Sequence, residues 1–177
     1  PENPQQTRQL ETVHEGLVTA LAANADGTRL ASADLQGNVF VWDLAGEPNR
    51  TPTVLNAAPC ALSLCFSPDG KTLVVGTAVA VETQQSQVQI WDVAAGKLLR
   101  SRTLPDHVNA CAVSPDGKML AYSGGRDHEI SLGPLAAAEP VAALRGTGRR
   151  VWRVAFAKQE PLYRIAWGTE PRAGGFN

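Results

Sequence analysis

Four ten-residue stretches decide the fold: VTALAANADG at 18–27, ALSLCFSPDG at 61–70, VNACAVSPDG at 108–117 and VWRVAFAKQE at 151–160. They align without gaps, and their starts lie 43, 47 and 43 residues apart, a spacing at which one repeat is one supersecondary unit. Each opens on an apolar run of about six residues, and the first three end in Asp-Gly. That pattern is a strand followed by a tight reversal, with glycine supplying the positive φ. Further apolar segments follow at 29–32, 72–76, 119–123 and 162–167, and again at 38–42, 87–91 and 129–132. Both alternate columns of the first strand are apolar, so each such strand is predicted to be covered on both faces. One column is small (Ala20 and Ala22, Ser63 and Cys65, Ala110 and Ala112) and the other generally larger (Leu21 and Ala23, Leu64 and Phe66, Cys111 and Val113, Val154 and Phe156). Small residues facing large ones let neighbouring sheets approach closely, as they must near the axis of a radial array. Arg153 breaks the small column in the fourth copy.

A repeat of this period whose third strand ends in Trp-Asp is similar to the WD-repeat family. The resemblance rests on Trp42-Asp43 and Trp91-Asp92, on SPDG at 67–70 and 114–117, and on LAS at 30–32, and it covers roughly residues 8–167. It implies an all-β fold, a β-propeller of four-stranded antiparallel blades, usually seven, that serves as a platform for partners. On this reading residues 8–13 are the outer strand of a preceding blade. Residues 17–55, 60–103 and 107–144 are three blades, 150–167 are the first two strands of a fourth, and 168–177 are a tail. Family blades often share a His, Ser, Asp and Trp chain of hydrogen bonds. His14 sits in the His column of the first blade, but Ala57, Leu104 and Thr147 hold it in the others, and Gln36 stands where the first Asp would be. The chain is therefore expected to be incomplete in every blade. The third blade carries Leu132-Gly133-Pro134 in place of Trp-Asp, and the second has a longer, polar-tipped loop around 78–86 with Glu82, Gln84 and Gln85.

The resemblance thus implies about three and a half blades of a seven-blade ring, since a ring of seven at this period needs about 300 residues. An open array leaves strand edges and apolar flanks bare. The expected remedy is that another segment or chain supplies the rest of the propeller.

In a propeller the residues flanking the start of each innermost strand ring the mouth of the channel, and by resemblance that face carries protein contacts. The candidates are Leu17 and Thr19, Cys60 and Leu62, His107 and Asn109, and Arg150 and Trp152, with Leu35 and Arg126 beside them in the loops between second and third strands. Trp152 beside Arg150 is the pair most suited to anchor a partner, because aromatic and Arg side chains dominate interface energetics. From Arg145 onward the chain carries a net +5 against −6 before it. No aromatic-interleaved basic run accompanies this, so a nucleic-acid partner is disfavoured.

Sixteen basic against seventeen acidic residues and 44% hydrophobic content exclude a disordered chain. The longest apolar stretch, 73–81, is too short to cross a bilayer as a helix. Three cysteines with no CxxC pair point to a reducing compartment, and the expected location is cytoplasmic. Gly70-Lys71-Thr72 ends like a phosphate-binding loop, but Cys65 occupies the place of its first glycine. His14, His107 and His128 fall in separate copies, and no coherent set of carboxylates or metal ligands gathers at the mouth positions. The expectation is a protein-interaction scaffold with no catalysis, metal or cofactor of its own. The alternative is a regulatory or sensor segment of a larger multidomain bacterial enzyme, a protein kinase or caspase-like protease, since WD arrays are often fused to such domains.

Overall fold

The computed structural model describes residues 14–46, 51–124, 129–137, 139–145, 150–157 and 164–169. The outer strand expected at 8–13 lies outside them. Strands β1 (Val18–Ala23), β2 (Arg29–Asp34), β3 (Asn38–Asp43) and β4 (Thr53–Asn56) form one antiparallel sheet in chain order. A second sheet holds β5 (Ala61–Phe66), β6 (Thr72–Thr77), β7 (Ser86–Asp92) and β8 (Lys97–Leu104), and a third β9 (Cys111–Val113), β10 (Met119–Ser123), β11 (Ile130–Pro134) and β12 (Ala142–Leu144). The fourth consists of β13 (Val151–Phe156) and β14 (Ile165–Thr169), which runs two residues into the stretch expected as tail. No helix occurs among the described residues. The chain is all-β, built of the four-stranded meanders that propeller blades require.

The Asp-Gly reversals are where the sequence puts them, with φ of 72°, 66° and 73° at Gly27, Gly70 and Gly117. The SPDG signature is a local hydrogen-bond device. Ser67 Oγ donates to Asp69 Oδ1 at 2.6 Å, the Lys71 N–H donates to the same oxygen at 3.1 Å, and the Thr72 N–H donates back to Ser67 Oγ at 3.0 Å. Ser114, Asp116, Lys118 and Met119 repeat it. The Ser67 hydroxyl and the Lys71 N–H hold the Asp69 carboxyl below its usual range.

Successive sheets pack small column on large. Ala20, Ala22, Ala31 and Ala33 of the first sheet meet Leu64, Phe66, Leu73, Val75 and Trp91 of the second. Val74, Val88, Ile90 and Cys65 of the second meet Val108, Leu120, Tyr122 and Cys111 of the third, and Ala121, Ile130 and Leu132 meet Val151, Val154 and Phe156. Trp42 and Trp91 are buried, as anchors should be. Gly76 is required where the second sheet packs against the third, because a Cβ there would overlap Ser63 Oγ and Val108 Cγ1. Coverage on both faces fails at the ends of the array. Leu21 is 65% exposed and Ala23 is exposed, because no described sheet lies beyond that face of β1. Arg153 and Ala155 are exposed on the opposite flank, on β13.

The expectation of an incomplete polar chain in every blade is overturned in the first. His14 Nδ1 lies 2.8 Å from Asp34 Oδ2, His14 Nε2 lies 2.7 Å from Ser32 Oγ, and Trp42 Nε1 donates to Ser32 Oγ at 3.2 Å. The acid is Asp34, the last residue of β2, and not Gln36 in the loop beyond it. Asp34 also accepts from the Asn38 N–H and from Asn38 Nδ2 at 2.9 and 3.0 Å. Burial pushes its carboxyl up, but the Asn38 amide and His14 outweigh this and hold it below the usual value. The second sheet substitutes a shorter link. Trp91 Nε1 donates to Gln89 Oε1, which also accepts from the Ala58 N–H of the incoming loop. In the third sheet Gly133 pairs with Leu120 just as Trp42 pairs with Leu30. The backbone at Glu139 occupies the space an indole would need, and buried Tyr122 takes the place of Ser32 with its hydroxyl bonded to Ser131.

Because Asp34 has a lower value folded than unfolded, the stability it contributes is full above about pH 4 and fades as pH falls through the lowered folded value. Asp34→Ala strands the donors of Asn38 and His14 and is expected to cost about 2–3 kcal/mol in urea unfolding at neutral pH. Asp34→Asn is expected to flatten the acid limb of stability measured below about pH 4.

Candidate protein-interaction face

The described residues among those expected at the channel mouth share one end of the sheets, where first and third strands begin and second strands end. A chain of peptide hydrogen bonds runs along it. The Leu35 N–H donates to Leu17 O at 3.2 Å, the Cys60 N–H to Leu35 O at 2.7 Å, and the Ala78 N–H to Cys60 O at 2.7 Å. One residue earlier, Thr77 O accepts from the Val108 N–H at 2.9 Å. The loop between second and third strands of one sheet is thereby tied to the incoming loop of the next.

Three of the four innermost strands are irregular at the same place. The register slips between Val18 and Ala20, between Ala61 and Ser63, and between Val151 and Arg153. The extra residues are Thr19, Leu62 and Trp152, each the second residue of its strip. Such a bulge bends the strand and re-aims one side chain. Thr19 turns its hydroxyl to Ala61 O of the second sheet and to Ala33 O at 3.2 Å. Leu62 is half-buried, whereas Trp152 is 45% exposed. Between the second and third sheets the equivalent clip comes from Ser63, whose Oγ donates to Val108 O at 2.8 Å.

The other candidates divide by what their side chains do. Leu17 is 69% exposed and Arg150 is exposed, both free of the core. Leu35 and Asn109 are half-buried. His107 Nδ1 accepts from the Val79 N–H at 2.9 Å, which buttresses the longer loop that carries Val81, 81% exposed. Cys60 acts through its backbone and holds φ of 62°, unusual for a residue with a side chain. Arg126 lies outside the described residues. What the sequence reading missed here is the bulge, for which the strips carry no local signal, since Leu62 and Trp152 simply continue the larger column of Leu64 and Phe66 and of Val154 and Phe156. Among the described residues no group of three or more His, Cys, Asp or Glu side chains is placed to hold a metal. The arrangement suits recognition, a hydrogen-bonded rim with Leu17, Trp152 and Arg150 standing clear of it.

The family model described as "WD domain, G-beta repeat" matches residues 5–43, 53–92 and 98–132. The last two matched segments begin at or within the outer strand of one sheet and end on the third strand of the next. Over 136 residues the chain is 29% identical to Protein groucho of Drosophila melanogaster, covering 73% of this chain and 18% of that protein. Over 123 residues it is 32% identical to Transducin-like enhancer protein 2 of Mus musculus, covering 66% of this chain and 15% of that protein. The chain spans less than a fifth of the length of either relative.

The geometry at Cys60 makes a sharp prediction. Cys60→Val forces a β-branched residue into the left-handed region and is expected to cost about 1–3 kcal/mol in urea unfolding, while Cys60→Gly is expected to stay within about 1 kcal/mol of the parent.

Proposed function

The chain belongs to the WD40 repeat family, and from that premise we propose that it is a protein-interaction scaffold, without catalysis of its own, whose partners dock on the channel-mouth face. The observation that carries this reading is the contrast along the rim. Its backbone groups are satisfied by one another from Leu17 through Ala78, while Leu17, Trp152 and Arg150 are exposed. An exposed indole next to a guanidinium is the composition of an interface hot spot. A protein surface is the proposed partner, with nucleic acid disfavoured and a cytoplasmic setting. The bare flanks support a second part of the proposal. Further blades, from another segment or another chain, cover Leu21 and Ala23 on one side and Arg153 and Ala155 on the other.

The test is partner capture by the immobilised chain. Trp152→Ala and Arg150→Ala are expected to abolish recovery of the partners that the parent retains, with an unchanged thermal melt, since both side chains lie outside the core. Full recovery by both variants overturns the mouth as the docking face.

A further inference from the structure

The opposite end of the sheets, where the Asp-Gly turns lie, carries two grooves at equivalent positions, and they differ in a way that points to a ligand. Between the first and second sheets the groove is lined by Arg29, Val41, Thr53, Val93 and neighbours and measures about 200 Å³. Arg29 Nη1 donates to Gly70 O at 2.9 Å, clasping the turn of the second sheet. Between the second and third sheets, the register places Thr72 where Arg29 stands and Ile90 where Val41 stands. Thr72 is too short to reach the next turn, Gly117 has no such clasp from any described residue, and the groove widens to about 560 Å³.

Two more features make this groove unlike its neighbour. A register slip between Ile90 and Trp91 leaves Leu99 as an extra residue on β8, 49% exposed beside an apolar floor of Ile90 and Leu135. Two cations flank that floor. The exposed Arg100 side chain makes no hydrogen bond or ion pair with any described residue. Lys118 is 78% exposed and reaches Asp116 only at 3.9 Å, a long surface pair of little worth. The corresponding position to Arg100 in the first sheet is Thr53, which is neutral.

We propose that this groove docks a short acidic peptide segment through an apolar anchor. A leucine-sized side chain would cover Leu99 and Ile90, and flanking carboxylates would meet Arg100 and Lys118 in charge-assisted hydrogen bonds. The floor is aliphatic and offers no aromatic platform for a nucleobase, which favours peptide over nucleic acid. The site lies at the end of the sheets away from Trp152, so its fate is separable from that of the mouth face.

The experiment uses the full chain and fluorescence anisotropy with a labelled nine-residue peptide in which leucines alternate with glutamates. Comparator peptides carry glutamine for each glutamate or alanine for each leucine. The parent is expected to bind the first peptide roughly tenfold more tightly than either comparator. Thr72→Arg, which restores the clasp of the first groove, and Arg100→Glu are each expected to weaken binding by roughly tenfold, with Trp152→Ala unchanged. Lys118→Glu, fully on the surface, supplies a second charge reversal if either of these alters the thermal melt. The proposal is overturned if the three peptides bind equally or not at all. It is also overturned if the groove variants leave affinity unchanged, if Trp152→Ala removes binding, or if a single-stranded oligonucleotide displaces the peptide.

Discussion

Close approach of one sheet to the next, small column against large, is the constraint on which the rest of the structure depends. Alanines at 20, 22, 31 and 33 lie flat against Leu64, Phe66, Leu73 and Trp91, and the first turn of that contact brings Thr19 within reach of the Ala61 carbonyl. At the second junction Gly76 does the same work for Val108. Truncating a buried residue such as Leu73 leaves a cavity that neighbours in rigid sheets fill poorly, a loss of about 2–5 kcal/mol. The peptide hydrogen bonds that cross from sheet to sheet, Cys60 N–H to Leu35 O and Val108 N–H to Thr77 O, depend on the sheets being held at this spacing. The rim is a consequence of the packing beneath it.

Each of the three four-stranded sheets solves the same polar problem differently. A buried third strand needs its polar groups satisfied, and an indole N–H in the core needs an acceptor. The first sheet uses Asp34, His14 and Ser32, the second uses Gln89, and the third dispenses with the indole and buries Tyr122 against Ser131. Family likeness in the repeats therefore resides in apolar columns and Asp-Gly turns more than in any one hydrogen-bond network. The same divergence operates at the other end of the sheets, where Arg29 narrows one groove and Thr72 leaves its counterpart wider.

Much of this was legible in the residues. Period, alternation and turn chemistry located β1, β2, β3 and β5, β6, β7 to within a residue or two, and the size difference between columns anticipated which face meets which. The acid at Asp34 was not found, because counting along the loop points to Gln36, whereas the pleat places Asp34 two residues beyond Ser32 on the same face of β2. The coverage expected for Leu21 was also missed, since alternation records that a column is apolar and not whether a neighbour is present to bury it. Among the mouth candidates, Leu17, Arg150 and Trp152 present side chains to solvent, while Thr19, Cys60 and His107 are engaged in holding loops or sheets together.

By itself the sequence determined the all-β architecture, the repeat unit and the turns, because these follow from interactions between residues a few positions apart. The tertiary structure alone decided which hydroxyl clips one sheet to the next, which residue bulges in three of the innermost strands, and which of two equivalent grooves is the wider. Those outcomes depend on distances between residues about forty positions apart, such as Arg29 and Gly70 or Ser63 and Val108, and no local pattern carries that information.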